Sequence, residues 1–320
     1  MVCRQAKKFG VQLDMNHPFL GASAAHAAVF AIQQIVWPYF TAIFLTLIGL
    51  VKIFQHDLPR AKGFDKTLVF GPLFLAMPVA VFGTDHFTFP DVVAGMVPRF
   101  IPFHVFWVYF VGLALIAGGV SIILDIYSVL AAALLSATIF SFVLLISVPA
   151  VASDPHNRFL LAVMLRDLSF GGGALACAVT RGSSWPSSMR QRLATAARYM
   201  ISIPSIFFGI EQFLHPHFVP VIPLDRQMPP WMPGQALIAY VTGTVMIAAG
   251  LCIALHWRSR LAATWLGIVT FAIVLLVYVP LLVDSFPSVG TGLNYFADTL
   301  AFSGAALLFA SALPKESGSR

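Results

Sequence analysis

Eight polar residues are candidates for chemistry because they occur within, or at the ends of, long apolar stretches, where ionisable groups are expensive. They are Asp85, His86, Arg166, Asp167, Glu211, Gln212, His215 and Asp298. A carboxylate beside an imidazole can exchange protons near neutral pH, which predicts an outer-leaflet polar pocket for a quinone-like head group. Alternatively, Arg166 and Asp167 pair with neighbouring helices and fasten the bundle, while Asp85 and Glu211 lie in interfacial water. We favour this structural role, and no catalytic residue is assigned.

The connections between the apolar stretches add a second set of polar residues. Asp154, His156 and Arg158 precede the fifth stretch, and His217 and Asp284 lie in connections of the second half. The three cysteines, Cys3, Cys177 and Cys252, form no C-x-x-C pair, which argues against thiol chemistry and a cysteine metal site. No Walker loop, dinucleotide fingerprint, zinc signature or nucleophile elbow is present, so we expect no metal and no intrinsic cofactor.

The elements that must position these residues are membrane helices. Of the 320 residues, 59% are hydrophobic and 10% charged, more apolar surface than one water-soluble core buries. The apolar runs are continuous and of spanning length, which indicates helices that cross a lipid bilayer. They are Val29–Val51, Thr67–Thr84, Ile101–Leu124, Ile126–Ser153, Phe159–Thr180, Tyr199–Leu214, Gln235–Leu255, Leu261–Val283 and Thr291–Leu313.

Two of these nine runs are weaker than the others. The sixth, Tyr199–Leu214, is short and contains Pro204 and Glu211, so hydropathy alone supports it poorly. The first, Val29–Val51, follows a basic and polar N-terminal stretch and has no small-residue cleavage site after it, so we interpret it as a retained helix. Whether this first run crosses the membrane stays open on the sequence alone.

The net charge of +6 is a topology signal rather than a sign of a nucleic-acid partner. In a nine-helix arrangement, twelve of the nineteen Lys and Arg residues fall on one face, which predicts a cytoplasmic C-terminus. These twelve are Lys52, Arg60, Lys62, Lys66, Arg181, Arg190, Arg192, Arg198, Arg258, Arg260, Lys315 and Arg320. Arg4, Lys7 and Lys8 would lie on the other face, against the trend.

The chain also contains an internal repeat. At an offset of 131 residues, YFVGLALIAGG (109–119) aligns with YVTGTVMIAAG (240–250), and RDLSFGGGA (166–174) aligns with ADTLAFSGA (297–305). Upstream, at an offset of 126, GTDHFTFP (83–90) aligns with GIEQFLHP (209–216). The matched Pro, Gly and Asp residues hold the same places in each helix, so chance is a poor explanation. The repeat promotes the weak sixth run to a helix.

The repeat predicts an all-α, polytopic membrane protein of about nine helices. Residues 1–66 form an N-terminal segment with one extra apolar helix, and residues 67–181 and 194–313 form two tandem four-helix bundles. An even number of helices inserts both units the same way up, so they are expected to be parallel repeats about a pseudo-twofold axis along the membrane normal.

The motifs GTDHF, VPRFIP, YFVGLALIAGG and RDLSFGGGAL in the first unit resemble the DoxX family of small four-helix membrane proteins. The resemblance covers about residues 67–180 well and 198–313 less well. It implies a four-helix bundle in each unit and, from the founding members, an association with quinone-linked respiratory oxidation in the bacterial cytoplasmic membrane. The family's G-x-x-E motif is absent, since Leu115 and Met246 stand where the Glu would be.

Three functions follow as hypotheses. The first is an accessory or quinone-interacting subunit of a membrane redox system, with a quinone or respiratory membrane proteins as partners in the inner membrane. The second is a small-solute or lipid transporter, for which parallel repeats with a polar site between them are suitable. The third is a structural subunit without a ligand. A shallow pocket open to lipid near Asp85 and Asp167 would favour the first, and a cavity reaching the bilayer midplane the second.

Overall fold

A computed structural model of the protein describes residues 20–314, and their side chains from residue 34 onward. Within that part of the chain, nine helices are long and apolar enough to cross a membrane, which confirms the predicted all-α, multi-pass fold class. In chain order, α1 to α9 are Gln34–Asp57, Asp65–Thr88, His104–Leu124, Ser128–Ser153, Arg158–Arg181, Ser187–Leu214, Gln235–Ala254, Ser259–Ser285 and Val289–Ala312. The α-helical turns that lead into α1 begin at Leu20.

The sixth helix is much longer than its apolar run suggested. It begins at Ser187 and contains 28 residues, with Pro204 inside it. Its first turns carry Arg190 and Arg192, and these charges hid the helix start from a hydropathy window. A spanning helix needs about 20 residues, so the basic first turns extend beyond the apolar region.

Helices α4 and α8 each contain a π-helical turn at matching places of the repeat. The turns are Val143–Ser147 and Val274–Tyr278, and Pro149 and Pro280 follow them. Proline lacks the backbone N–H that would close an α-helical turn, and a wider turn just before it lets the helix continue. Both helices therefore run on without a break.

The contacts between helices follow the same order in both halves. Helices α2 to α5 pack in sequence, as do α6 to α9, and α5 packs against α6. Helix α2 packs against α9, and α5 against α9, whereas the contacts of α2 with α5 and of α6 with α9 are few. The two halves therefore pack against each other mainly through α5 and α9, the two central helices. The division into units 67–181 and 194–313 stays a prediction.

Close helix approach is possible where the repeat places glycine. A Cβ atom added to Gly83 would lie 2.8 Å from the carbonyl oxygen of Gly112, and one added to Gly209 would lie 2.8 Å from that of Gly243. Any larger residue would push α2 away from α3, or α6 away from α7. These contacts fix the depth of Asp85 and Glu211, which follow Gly83 and Gly209 by two residues.

The two ends of the helix bundle differ in charge. The end at which α1 finishes and α2 begins, here called the cationic end, carries Lys52, Arg60, Arg181 and Arg260. The opposite end, called the distal end, holds the connections after α2, α4, α6 and α8. On the outside of the bundle, Leu113 and Leu276 are among many large apolar side chains left exposed, as expected for a surface that faces lipid.

Two loops at the distal end connect matching helices of the two halves. The short distal loop, residues 89–103, joins α2 to α3, and the long distal loop, residues 215–234, joins α6 to α7. The short loop exposes Phe100 and Phe103, by 75% and 81%. The long loop instead buries Val221 and Ile222, which become part of the core.

Candidate functional site

The centre of the candidate site is Arg166 on α5, which pairs with two carboxylates. Its Nε and Nη2 donate to Asp167 Oδ1 at 3.0 and 2.9 Å, and its Nη1 donates to Asp298 Oδ2 on α9 at 3.2 Å. Asp298 is only 3% exposed. The guanidinium lies 5.9 Å from the centroid of the Phe170 ring. This arrangement joins the two central helices.

Asp85 is connected to the same region through a residue that the sequence analysis missed. Asn294 Nδ2, on α9, donates to Asp85 Oδ2 at 2.9 Å. Asn294 precedes Asp298 by four residues, so the two share one face of α9. The signal available in the sequence was this spacing of two polar residues within an apolar run. We call Asp85, Asn294, Asp298, Arg166 and Asp167 the central polar cluster.

The central polar cluster lies below the distal end of the bundle. Asp85 is level with residue 110 of α3, given the contact of Gly83 with Gly112, and so lies about 9 Å below the start of α3 at 1.5 Å per residue. Asp298 follows the first residue of α9 by nine positions, or about 13 Å. The outer-leaflet depth predicted for these acids is consistent with both positions if the distal end faces outward.

Glu211 and His215 belong to a second, separate cluster. Arg158 Nη1 donates to Glu211 Oε2 at 3.3 Å, and His215 Nε2 lies 3.9 Å from the same oxygen. Arg158 Nη2 donates to Asp225 Oδ1 at 2.7 Å and to the Leu224 carbonyl at 3.2 Å, and Nη1 donates to the Pro223 carbonyl. Arg158 therefore fastens the long distal loop over α5 and α6.

His86 and Gln212, at matching places of the repeat, join neither cluster. His86 Nδ1 is hydrogen-bonded to the Phe82 carbonyl of its own helix at 2.7 Å. Gln212 is fully buried, and both of its amide atoms lack a hydrogen-bond partner among the described residues. The eight predicted residues thus divide into a central group of four, a pair around Arg158 and two isolated side chains.

The polar residues of the connection between α4 and α5 have mostly local roles. Asp154 accepts a hydrogen bond from Asn157 Nδ2 at 3.1 Å, and both are exposed or partly exposed. His156 is exposed. Only Arg158 of this set reaches a candidate site residue, through its contact with Glu211.

A cavity of about 360 Å³ lies between α1, α2 and α3 near the distal end. Its lining combines aromatic and apolar surface with hydroxyl and amide groups. The lining residues are Gln34, Trp37, Thr41, Thr84, Phe87, Thr88 and Ile116. Trp37 and Phe87 are 52% and 43% exposed on the lipid-facing surface, so the cavity opens sideways toward the bilayer. We call it the lateral pocket.

Two hydrogen bonds tie α1 to α2 inside the lateral pocket. Gln34 Nε2 donates to the Thr88 carbonyl at 3.1 Å, and the hydroxyls of Thr41 and Thr84 are 3.0 Å apart. Thr84 adjoins Asp85 in sequence, so the pocket and the central polar cluster lie on different sides of one helical turn.

In the described structure, the positions of the second half that match the pocket lining are apolar. At the positions that match Thr84, Thr88 and Ile116 stand Ile210, Leu214 and Ile247. Ile210 and Leu214 are 46% and 64% exposed. Among the described residues, no helix covers them in the way that α1 covers the first half, so the matching groove is apolar and open to lipid.

In the part of the chain that the structure describes, no three His, Cys, Asp or Glu side chains are grouped so that they could hold a metal ion. Fold and site together define an all-α, multi-pass membrane protein with a buried ion-pair cluster and a lateral pocket. No family model, curated protein or solved structure matches the chain.

Proposed function

We propose that the protein is a DoxX-like subunit of a membrane redox system that holds a quinone in the lateral pocket between α1, α2 and α3. The observation that carries the proposal is the pocket itself. Its aromatic side chains, Trp37 and Phe87, suit the flat face of a quinone ring. The Gln34 amide nitrogen has a second N–H besides the one donated to the Thr88 carbonyl, and it suits a carbonyl oxygen of the ring. The sideways opening suits a ligand whose apolar tail stays in the lipid.

The size of the lateral pocket supports a small head group rather than a large cofactor. Its 360 Å³ falls at the lower end of the range of about 300–1,000 Å³ that is usual for small-molecule sites. A quinone bound there would be held by contacts with side chains and would not need a metal or a covalent link. The protein would act as an accessory subunit, with the electron transfer completed on a partner.

The repeat favours a binding role for the polar residues of the pocket. Thr84 and Thr88 face α1, whereas the matching Ile210 and Leu214 face lipid. Aliphatic side chains such as those of Ile210 and Leu214 would also pack against a helix placed like α1. Thr84 Oγ1 donates to the Ala80 carbonyl at 3.0 Å and Thr88 Oγ1 donates to the Thr84 carbonyl at 3.3 Å. The hydroxyls in the first half therefore place polar oxygens, which packing does not require, inside an apolar surface.

We also propose that the protein lies in the bacterial cytoplasmic membrane with its cationic end and C-terminus in the cytoplasm. The supporting feature is the concentration of Lys and Arg at that end. In a variant without its native cysteines, a membrane-impermeant maleimide applied to intact cells should label a cysteine at Asp225 and spare one at Arg258. Labelling of Arg258→Cys without labelling of Asp225→Cys would indicate the opposite orientation in the membrane.

The quinone proposal is tested by giving the groove of the first half the side chains found at the matching positions of the second half. In the purified protein in detergent, a benzoquinone with a decyl tail should quench the fluorescence of Trp37 saturably. The variant Trp37→Phe should lack this saturable quenching. The double variant Thr84→Ile, Thr88→Leu should raise the apparent Kd at least tenfold, because it reproduces the side chains of Ile210 and Leu214.

The matched control carries the reverse exchange, Ile210→Thr with Leu214→Thr, which should leave quenching unchanged because no helix covers that groove. Quenching that rises linearly with quinone and is equal in all variants would show partition into the detergent and overturn the proposal. Mass spectrometry of the protein purified in mild detergent should also detect a co-purifying quinone, and its loss in the Thr84→Ile, Thr88→Leu variant would tie it to the pocket.

A further inference from the structure

Three oxygen atoms of the central polar cluster are buried and lack a hydrogen-bond donor among the described residues. They are Oδ1 of Asp85, Oδ1 of Asn294 and Oδ1 of Asp298. The second polar atom of each side chain is engaged: Asn294 Nδ2 donates to Asp85 Oδ2, and Asp298 Oδ2 accepts from Arg166. Burying an oxygen without a hydrogen-bond donor costs free energy, so a bound water molecule or ion at these oxygens would stabilise the fold.

The side chains that carry these oxygens are neighbours. Asp85 and Asn294 are in direct contact through their hydrogen bond, and Asn294 and Asp298 are neighbours one turn apart on α9, with Cβ atoms typically about 5–6 Å apart. Asp298 is 97% buried, by its 3% exposure, and only one of its two carboxylate oxygens is used by Arg166. The site is therefore assembled from α2 and α9, helices of different halves that pack together.

The charges of the central polar cluster do not balance. Asp85, Asp167 and Asp298 contribute three carboxylates, and Arg166 is the one cation paired with any of them in the described structure. Arg226, above the cluster, uses its guanidinium on Ser285 Oγ at 2.6 Å and on the Thr291 carbonyl. A water molecule would satisfy the free oxygens but leave the excess of two negative charges, whereas a monovalent cation would satisfy the oxygens and reduce that excess to one.

We propose that Asp85, Asn294 and Asp298 form a binding site for a monovalent cation of the size of Na⁺. Carboxylate and amide oxygens are the donors that hard cations prefer, and the absence of His and Cys from the set argues against a transition metal. Two carboxylates and one amide suit an ion that completes its shell with water. This site is separate from the lateral pocket and does not depend on the proposed quinone.

The site is tested by thermal unfolding of the purified protein in sodium, potassium or N-methylglucamine chloride at equal ionic strength. Sodium should raise Tm saturably, by roughly 5 °C at a concentration 100 times the Kd, since the ligand binds only the folded protein. Asn294→Ala should abolish this rise while changing no charge. Asp298→Asn should do the same, and Asn294→Ala keeps the test informative if Asp298→Asn fails to fold.

The control is Glu211→Gln, which alters the matching acid of the second half. Glu211 is already paired with Arg158, so this variant should retain the sodium-dependent rise. Radioactive ²²Na⁺ binding, measured by scintillation proximity, should give the same order of variants. An equal rise in all three salts, a rise retained in Asn294→Ala, or a response to pH without any response to sodium would each overturn the proposal, the last by identifying a proton as the occupant.

Discussion

The two halves of the molecule share a scaffold and differ at their distal ends. In the first half, α1 covers a groove that contains Thr84 and Thr88, and the short distal loop exposes Phe100 and Phe103. In the second half, the matching groove is apolar and uncovered, and the long distal loop folds inward and buries Val221 and Ile222. The repeat therefore supplies the helix packing, while the departures from it supply the pocket and the loop that could bear on function.

The polar residues show the same contrast. Asp167 and Asp298 match each other in the repeat, but Arg166 matches Ala297, so one arginine serves both carboxylates. Asp85 and Glu211 also match, yet Asp85 meets the neutral Asn294 and Glu211 meets Arg158. The pseudo-symmetric scaffold thus places a carboxylate–amide contact, Asp85 with Asn294, at its centre and a carboxylate–arginine pair, Glu211 with Arg158, under the long distal loop.

The largest effect on stability is expected when Arg166, the arginine of the central polar cluster, is removed. Arg166→Met leaves Asp167 and Asp298 without their cation in a buried setting, and removal of one partner from a buried pair costs about 3–5 kcal/mol. The measurement is Tm in detergent. Adding Asp167→Asn and Asp298→Asn to Arg166→Met should recover most of the loss, whereas a single variant that melts like the wild type would show that the pair does not fasten α5 to α9.

The helices of the fold could be predicted from the sequence. Nine apolar runs and the matched Pro and Gly residues predicted the nine helices, because membrane insertion depends on local hydropathy and repeats preserve helix breakers. The depth of Asp167 and Asp298 followed from their distance along each helix. The start of α6 at Ser187 was missed because its first turns are basic and interfacial.

The partners within the site could not be predicted in the same way. Asn294 lies 209 residues from Asp85, and Arg158 lies 67 residues from Asp225, so each pairing depends on which helices and loops pack together. Hydropathy and repeat spacing do not determine those contacts. The lateral pocket was equally hidden, because it is formed by α1, the one helix that lies outside the repeat.

The next largest effect concerns the long distal loop. Arg158→Ala removes the donor to the Pro223 and Leu224 carbonyls. It leaves Glu211, which is 6% exposed, with His215 as its one remaining ion-pair partner among the described residues. We expect a loss of about 2 kcal/mol, less than for Arg166→Met, because Arg158 has one largely buried carboxylate partner and Arg166 has two. The loop should also become sensitive to limited proteolysis.

The control for this loop is Asp225→Ala. Asp225 is 62% exposed, so its pair with Arg158 should contribute less than about 1 kcal/mol, and proteolysis should stay close to that of the wild type. Equal proteolysis of Arg158→Ala and Asp225→Ala would indicate that buried Val221 and Ile222, rather than Arg158, hold the loop in place.

The smallest effect concerns a turn at the cationic end that both halves share. Asp125 and His256 occupy matching positions with φ of 61° and 60°, a left-handed conformation that Asp tolerates better than most residues. Partial burial opposes ionisation of Asp125, but the hydrogen bond from Ser128 Oγ at 2.5 Å and the charge of Arg181, whose Nη1 lies 3.0 Å from Oδ1, outweigh it and lower the pKa of Asp125 below its usual value.

Because the folded-state pKa is lowered, ionised Asp125 stabilises the fold above its unfolded pKa of about 3.9, and this contribution is lost as pH falls through the folded-state value. Asp125 is 53% exposed, so Asp125→Asn should cost less than about 1 kcal/mol at pH 7. The difference in Tm between Asp125→Asn and the wild type should vanish at acidic pH.

The matched control is His256→Asn. His256 pairs with no carboxylate in the described structure, so any change in Tm that this variant causes should not depend on pH between pH 3 and pH 5. A difference for Asp125→Asn that persists at acidic pH would instead indicate that the side chain acts through the backbone conformation of the turn.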